Sequence, residues 1–472
     1  MAAVKVVGIV GAAIAGPTLG LQLLSHPMLA TRFKPIIFDK APAPLSPSNT
    51  SSGDRTTLPS AGAAVALFSN GLFPLYNLGM RVPLDAASTE MSSLTVWRAG
   101  YGSPDGLSIG RYKKLNSCNN PSWNRELQTS ARAIERDALQ RLLVSEYVAR
   151  GGDMQWSKNA TAFSRLESGQ IQVRFADGST TVVDLLVGAD SGFSAVRKFI
   201  LHERDPSTAE ARWLPDFMGM TGFYGISTPG ETKASAELQH STHAMWLDNG
   251  NLSVAPLPDG KMRWDLIISE RNPPNPAGPV ESSVGSGSAP WMAAIMPGMY
   301  TRSSSVEILK RHAGVYHPVV GSFGALLASA ERIIRSPLRQ RVWVKEEIQC
   351  GNVVLIGDAA RLMLPSSGQG TGFAVEDATV LANTLLNFAC GLEEDESDIH
   401  LALDVYAAQR VPRSKKMAYA ASLAGLFGLG ERWYWRWLRD LSSRITIGTD
   451  MKQVNGKEPW PFNERVKVQL GK

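Results

Sequence analysis

A chain of 472 residues is long enough to bury two or three cores, and 44% hydrophobic with 19% charged residues reads as globular rather than disordered or fibrous. The net charge of +5 is small and its Lys and Arg are spread along the chain, which argues against a nucleic-acid partner. Cys118, Cys350 and Cys390 form no paired spacing and no metal-ligand cluster, so neither a disulfide scaffold nor a metal is expected, and the compartment expected is the reducing cytoplasm.

The first apolar run, residues 6 to 24, is preceded by one lysine, broken by Pro17 and followed by no small-residue cleavage site. It therefore reads as part of the fold rather than as a signal segment. Val6 to Val10 predicts a buried parallel strand, "GAAIAG" (Gly11 to Gly16) a tight turn, and Leu19, Leu23 and Leu24 a helix. In that geometry Gly11 permits the turn, Gly16 lets the helix pack on the strand, and the helix N-terminus offers N–H groups to a pyrophosphate. Ala13 stands where the second glycine of GxGxxG belongs, and its methyl crowds the phosphate approach without closing it. The next strand, "PIIFDK", ends in Asp39, 23 residues beyond Gly16, where a carboxylate accepts ribose hydroxyls and repels a 2′-phosphate. The loop favours FAD or NAD over NADP, the plain alternative being a glycine-rich turn with a chance acid nearby.

Farther along, "APAPLSPSNTSSGDRTT" (Ala41 to Thr57) reads as a mobile loop, and "GAAVALFSNG" (Gly62 to Gly71) as a small-residue turn entering a strand and helix. "IERDALQRLL" (Ile134 to Leu143) predicts a helix carrying Arg136, and "LLVGADSGFSAVR" (Leu185 to Arg197) a buried strand running into an Asp and a turn. Residues 201 to 330 carry β-type runs such as "LSVAPLPDG" and "MRWDLIIS", and then the loop-like "NPPNPAGPVESSVGSGSAP". "NVVLIGDAARLMLPSSGQGTGFAVEDATVLA" (Asn352 to Ala382) is a strand, a GD turn, Pro365, a GQG loop and a helix. "MAYAASLAGLFGLG" (Met417 to Gly430) is shorter than the roughly 20 residues of a membrane span. With "RWYWRWL" it predicts packed terminal helices, membrane-surface contact being the alternative.

This ordered set, spread over most of positions 4 to 390, resembles the class A FAD-dependent monooxygenases, the family of p-hydroxybenzoate and salicylate hydroxylases. The resemblance implies an α/β fold: a discontinuous Rossmann-like FAD-binding domain (1–200, with an excursion near 75–110, and 331–395), an inserted β-sheet substrate domain (201–330) and C-terminal helices (396–472). It places Gly11, Ala13, Gly16, Asp39, Gly62, Ala63 and Arg136 on FAD, with Asp358 at the ribityl hydroxyls. Gly370, Thr371 and Gly372 open a helix whose positive end faces the flavin pyrimidine. Pro365 borders the face of the flavin that handles oxygen. Asp190, Ser194 and Arg197 match DGxxSxVR, which supports both FAD and the transient nicotinamide, while Arg197 equally suits a structural pairing with Asp190. Tyr224 and Ala255 stand where some relatives hold a phenolate with tyrosine and arginine.

Two departures accompany the match. Ser191 replaces a glycine, leaving Gly192 to supply the turn freedom. Arg361 replaces a histidine after GDAA, and its permanent charge suits either an acidic partner or the receipt of NADH.

The function implied is monooxygenation, hydroxylation or epoxidation, of an aromatic or polycyclic small molecule: NAD(P)H reduces the flavin and O2 adds at its C4a to give the oxygen-donating hydroperoxide. Pro365, Arg197 and Tyr224 are the catalytic candidates. Without an arginine at 255, the pocket is expected to favour a neutral, largely apolar ring system. Trp97, His240, His243 and Trp246 are further pocket candidates, core packing being their alternative. The rival readings are another flavin oxidoreductase (halogenase, oxidase or reductase) and a non-catalytic protein on the same fold. "WYWRWL" lacks the Ile-Pro of the halogenase signature WxWxIP.

Overall fold

A computed structural model describes residues 4–43, 64–100, 112–230, 235–274, 289–389 and 399–446. Its first unit is a parallel sheet built from β1 (Lys5–Val10), β2 (Phe33–Phe38), β3 (Asp153–Gln155), β4 (Leu185–Gly188) and β5 (Val353–Leu355). The spatial order is β5-β4-β1-β2-β3, with the short antiparallel strand Gln349–Cys350 beyond β5. Val7, Ile9, Ile37, Phe38, Leu186 and Val354 are fully buried, as continuous apolar strands covered on both faces must be. Val10 lies opposite both Phe38 and Gly188, and Gly188 opposite Leu355, so four strands end together. The turns that follow, at Gly11, Asp39, Ala189 and Gly357, therefore converge on one edge, the carboxyl edge where sheets of this kind hold ligands.

Helices α1 (Ala15–Ser25), α2 (Arg136–Ala149), α3 (Ala195–Arg204) and α4 (Gly370–Ala389) pack around this sheet. The helix α4 is buried almost all round because α5 (Ile399–Leu429) covers its outer side. After a turn at Gly430, α6 (Trp433–Thr446) closes the described chain.

The second unit is an eight-stranded sheet in the order 361–362, 330–342, 216–227, 262–269, 250–256, 242–247, 93–98 and 113–119. Strict alternation in Met262–Ser269 sends Trp264, Leu266 and Ile268 to one face, where the helices Arg302–His312 and Phe323–Ala328 cover them. Arg263, Asp265 and Ile267 point to the opposite face, toward the first unit. The α/β architecture with an inserted sheet and terminal helices is as expected. Two boundaries shift: the strand Ala330–Val342 belongs to the inserted sheet, so the first unit resumes after it, and the excursion into that sheet extends to Asn119.

Candidate active site

At the end of β1 the chain turns with Gly11 at φ +110°, and a Cβ there would lie 2.4 Å from the Ala189 carbonyl oxygen. A Cβ on Gly16 would lie 2.1 Å from the Gly11 carbonyl oxygen, so both glycines are steric requirements of a helix that starts hard against its strand. No side chain caps α1. Its first-turn N–H groups, with the half-buried Ala13 just ahead of them, are available to an anion. Asp39 fixes this loop: Oδ2 accepts the Ala12 N–H at 2.7 Å and Oδ1 the Ala41 N–H at 2.8 Å. Gln140 of α2 adds a 2.7 Å hydrogen bond to the Ala12 carbonyl.

The GD turn meets the same loop, since a Cβ on Gly357 would stand 3.2 Å from Ala15 Cβ. Asp358 keeps solvent access although protein surrounds it, which puts its carboxylate on an internal cleft. Burial pushes that carboxyl up, against the pull of Arg136 and Arg361. Arg136, the first residue of α2, is held below the ordinary arginine range by burial, with Asp358 as its main opposing charge. The pair reaches the cleft from two separate elements.

Beneath the turn lies a buried charge network that the sequence reading missed. Asp377 accepts from the Gly357 N–H at 2.7 Å, from Arg361, and from Arg410 Nε at 2.6 Å. Glu376 accepts from Arg413 at 2.6 and 2.8 Å and from Asn70 at 2.8 Å. All three guanidinium groups lie within 5.2 Å of the Phe373 ring centre. Arg361 thus has a buried acidic partner, the first of the two roles expected of it. The signal was the "ED" pair inside an otherwise apolar helix: carboxylates facing a core need cations.

Pro365, exposed, opens a short turn that runs through Gly368 at φ +65° to Gln369. Gln369 is buried with neither amide atom partnered in the protein, and Gly370, Thr371 and Gly372 follow as the first turn of α4. Gly62 and Ala63 lie outside the described residues, as does nearly all of the Ala41 to Thr57 loop.

Asp190 caps α3, accepting from the Ala195 and Val196 N–H groups at 2.7 and 3.2 Å, while its Oδ1 is buried without a partner. Two expectations change here. Ser191 itself takes φ +75°, so the strained position is filled by serine and not relieved by Gly192. Arg197 is fully buried, stacked 3.7 Å over Trp343, and donates to the carbonyls of Ala359, Gly192 and Trp213. Its hydrogen bonds thus tie the turns at Gly192 and Ala359 to Trp213 and do not go to Asp190.

Across the cleft, Tyr224 lies on the sheet face turned to the first unit, packed against two apolar clusters, one of which holds Leu364, the residue before Pro365, and the other Ala133, Ile226 and Leu257. A Cβ on Gly222 would fall 2.4 Å from Tyr224 Oη, so the glycine lets the ring lie flat on the sheet. Burial, then Asp265, pushes the phenol well above its ordinary range. Asp265 is its cross-strand neighbour and pairs with Arg263 two residues back; Arg263 in turn sits opposite Ala255. The guanidinium absent at 255 is therefore present on the adjacent strand, already neutralised. The other pocket candidates lie elsewhere: Trp97 donates to His243 at 3.2 Å on the far face, Trp246 is covered by Arg439 and Ser443 of α6, and His240 is exposed.

A family model described as an FAD binding domain matches residues 316–421, which span the GD turn, the Pro365 turn and α4. The chain is 27% identical over 437 residues to aurachin C monooxygenase/isomerase of Stigmatella aurantiaca, covering 93% of each chain, and 26% identical to salicylate hydroxylase of Pseudomonas putida, covering 66% of this chain and 69% of that one. It is an FAD-dependent monooxygenase, similar over most of its length to the class A enzymes. FAD is accordingly its cofactor, and the residues present fit it: two steric glycines, an uncapped α1 N-terminus, a carboxylate open to the cleft, and unpartnered buried atoms on Gln369 and Asp190. The monooxygenase fold recurs in Klebsiella pneumoniae HpxO complexed with FAD and uric acid, with a TM-score of 0.66 at 18% identity over 93% of this chain and 92% of that one. Pseudomonas aeruginosa PqsL in complex with 2-aminobenzoylacetate gives 0.63 at 18% identity, over 93% and 100%.

Proposed function

We propose that this monooxygenase inserts one oxygen atom from O2 into a neutral aromatic or polycyclic small molecule at the expense of NAD(P)H. The observation that carries this reading is the pairing of Arg263 with Asp265 beside Tyr224, on the sheet face opposite the Pro365 turn. FAD, when bound, supplies the electron transfer and oxygen activation. Gly11, Gly16 and the α1 N-terminus hold its pyrophosphate, Asp39 orders the loop at its ribose, and Asp358 and Arg136 meet its ribityl chain. The N-terminus of α4 places a positive dipole where negative charge develops. Arg263 offers donors and Asp265 acceptors on one strand face, and their charges cancel; such a site orients a neutral ring bearing both kinds of group and disfavours a net anion.

The test is NADH and NADPH oxidation by the FAD-loaded protein against matched neutral and anionic aromatic ligands, with product mass. A product heavier by one oxygen atom from the neutral member supports the reading. Nicotinamide oxidation that yields only hydrogen peroxide with every ligand would place the protein among the oxidases or reductases instead.

A further inference from the structure

Among the described residues, seventeen large apolar side chains are exposed, and nine of them lie between Leu401 and Leu441. They form stripes. Tyr419, Leu423 and Leu426 follow one another at helical spacing along α5, and Trp433, Trp437 and Leu441 do so along α6, on either side of the Gly430 turn. Tyr419 is 68%, Trp433 72% and Trp437 59% exposed, unusual values for side chains of this size.

Neither helix is loosely attached. On α5, Ala421 and Gly425 face inward: the Ala421 carbonyl accepts from Ser366 Oγ at 2.6 Å, and a Cβ on Gly425 would lie 3.1 Å from Leu364. On α6 the inward side is the polar one. Arg439 donates to the carbonyls of Gly428 and Leu247 at 2.8 and 2.7 Å, Ser443 accepts from Trp246 at 3.0 Å, and Asp440 pairs with Arg98. This helix is pinned by its polar face and turns Trp433 and Trp437 outward, the reverse of a helix that packs on a core.

The exposed charges around the stripes are Lys415, Lys416, Arg432 and Arg444, against Glu431 and an Asp248 already paired with Arg98. We propose that this face docks on an anionic phospholipid surface, with Trp433, Trp437, Tyr419 and Leu423 seated at the headgroup boundary and the flanking basic side chains on the lipid phosphates. Tryptophan and tyrosine suit that boundary because an apolar ring carries one polar atom. No helix among the described residues is long and apolar enough to cross a membrane, so the contact lies along the surface. A symmetric contact with a second copy would bring the same basic side chains against each other, which disfavours self-association through this face. Because the inner side of α5 buttresses Leu364 and Ser366, the docked face stands directly behind the Pro365 turn of the active site.

The experiment is co-sedimentation of the full-length, FAD-loaded protein with vesicles of phosphatidylcholine alone or with about one third phosphatidylglycerol, at low and high salt. The wild type should bind the anionic vesicles at least about tenfold more tightly, and high salt should weaken the binding. The double variants Trp433→Ser/Trp437→Ser and Lys415→Glu/Lys416→Glu should each abolish most of it while keeping flavin content and melting temperature, since these side chains point to water. Failure of the wild type to bind anionic vesicles overturns the proposal, as does binding that both variants retain. So does a wild-type dimer, in the absence of vesicles, that the tryptophan variant converts to monomer.

Discussion

The backbone N–H of Gly357 donates to Asp377 Oδ2 at 2.7 Å, so the turn that carries Asp358 hangs from a carboxylate of α4. The same carboxylate neutralises Arg361 and Arg410, both buried. Asp377→Ala should therefore cost about 3–5 kcal/mol of stability, because it strands the buried Arg361 and the Gly357 N–H and leaves Arg410 with Glu376 alone. FAD affinity should fall with it. Asp377→Asn, which keeps an acceptor for Gly357, should lose less FAD affinity than Asp377→Ala at a similar cost in charge pairing. Urea midpoints of the apoprotein and flavin titrations measure the two effects separately; equal FAD affinity in both variants and the wild type would detach Asp377 from the site.

Ser191 at φ +75° carries strain that glycine would not. The left-handed conformation costs an L-residue about 1–2 kcal/mol, and the extra freedom of an unfolded glycine returns part of that, so Ser191→Gly should stabilise by about 0.5–1 kcal/mol. Gly192→Ala should be nearly neutral or mildly destabilising, since its Cβ would meet only the Leu362 side chain at 3.0 Å. Denaturant midpoints of the two variants decide; a strongly destabilising Gly192→Ala with a neutral Ser191→Gly would reverse the assignment.

At the phosphate loop, Gly11→Ala forces a Cβ to within 2.4 Å of backbone and should abolish FAD binding. Ala13 is half-buried and sits ahead of the uncapped helix, so Ala13→Gly should keep or tighten FAD binding and Ala13→Val should weaken it. Equal dissociation constants for the three residues at 13 would mean that this turn does not face the pyrophosphate.

What was legible in the sequence was what local pattern encodes. A β-branched strand, glycines at a turn and an acid after the next strand read directly as Gly11, Gly16 and Asp39, and the GD turn as Asp358. Partners joined only by register or by packing of distant helices were not legible. Arg263 is the clearest case: the absence of arginine at 255 reads as an apolar pocket until the register sets Ala255 opposite Arg263. Alternation along "MRWDLIIS" already put Arg263 and Asp265 on one face, but not which face met the cofactor unit. The roles of Arg361 and Arg197 depended likewise on what lay across from them, Asp377 in one case and three carbonyls in the other.

His317 supplies a pH dependence. It is fully buried, its Nδ1 accepts from the Val319 and Val320 N–H groups at 3.3 Å, and burial, with His243 adjacent, pushes it down to about 3. The neutral ring is required in the folded state, whereas the unfolded chain protonates near pH 6.5. Its contribution is thus fully present above about pH 6.5 and is lost progressively as pH falls toward 3, amounting to about 2 kcal/mol by pH 5. His317→Asn retains an acceptor and cannot titrate, so its stability should fall less steeply between pH 7 and 5 by about that amount. Parallel pH profiles for the two proteins would show that His317 is not the group responsible.

Asp265 and Arg263 are where substrate preference is open to change. With Asp265 in place, the guanidinium is neutralised and the strand face beside Tyr224 carries no net charge. Asp265→Asn leaves the shape nearly unchanged and frees the positive charge. An anionic phenol should then gain on its neutral analogue by about tenfold or more in relative kcat/KM, equivalent to about 1.4 kcal/mol of new attraction. Arg263→Met/Asp265→Asn removes both charges and should restore the neutral preference, so the cycle separates a charge effect from a general loosening of the sheet. Flavin content and the melting temperature serve as the folding control for both. If the anionic-to-neutral ratio is the same in all three proteins, the pair does not face the substrate, and the polar group that orients the ring must be sought elsewhere in the cleft.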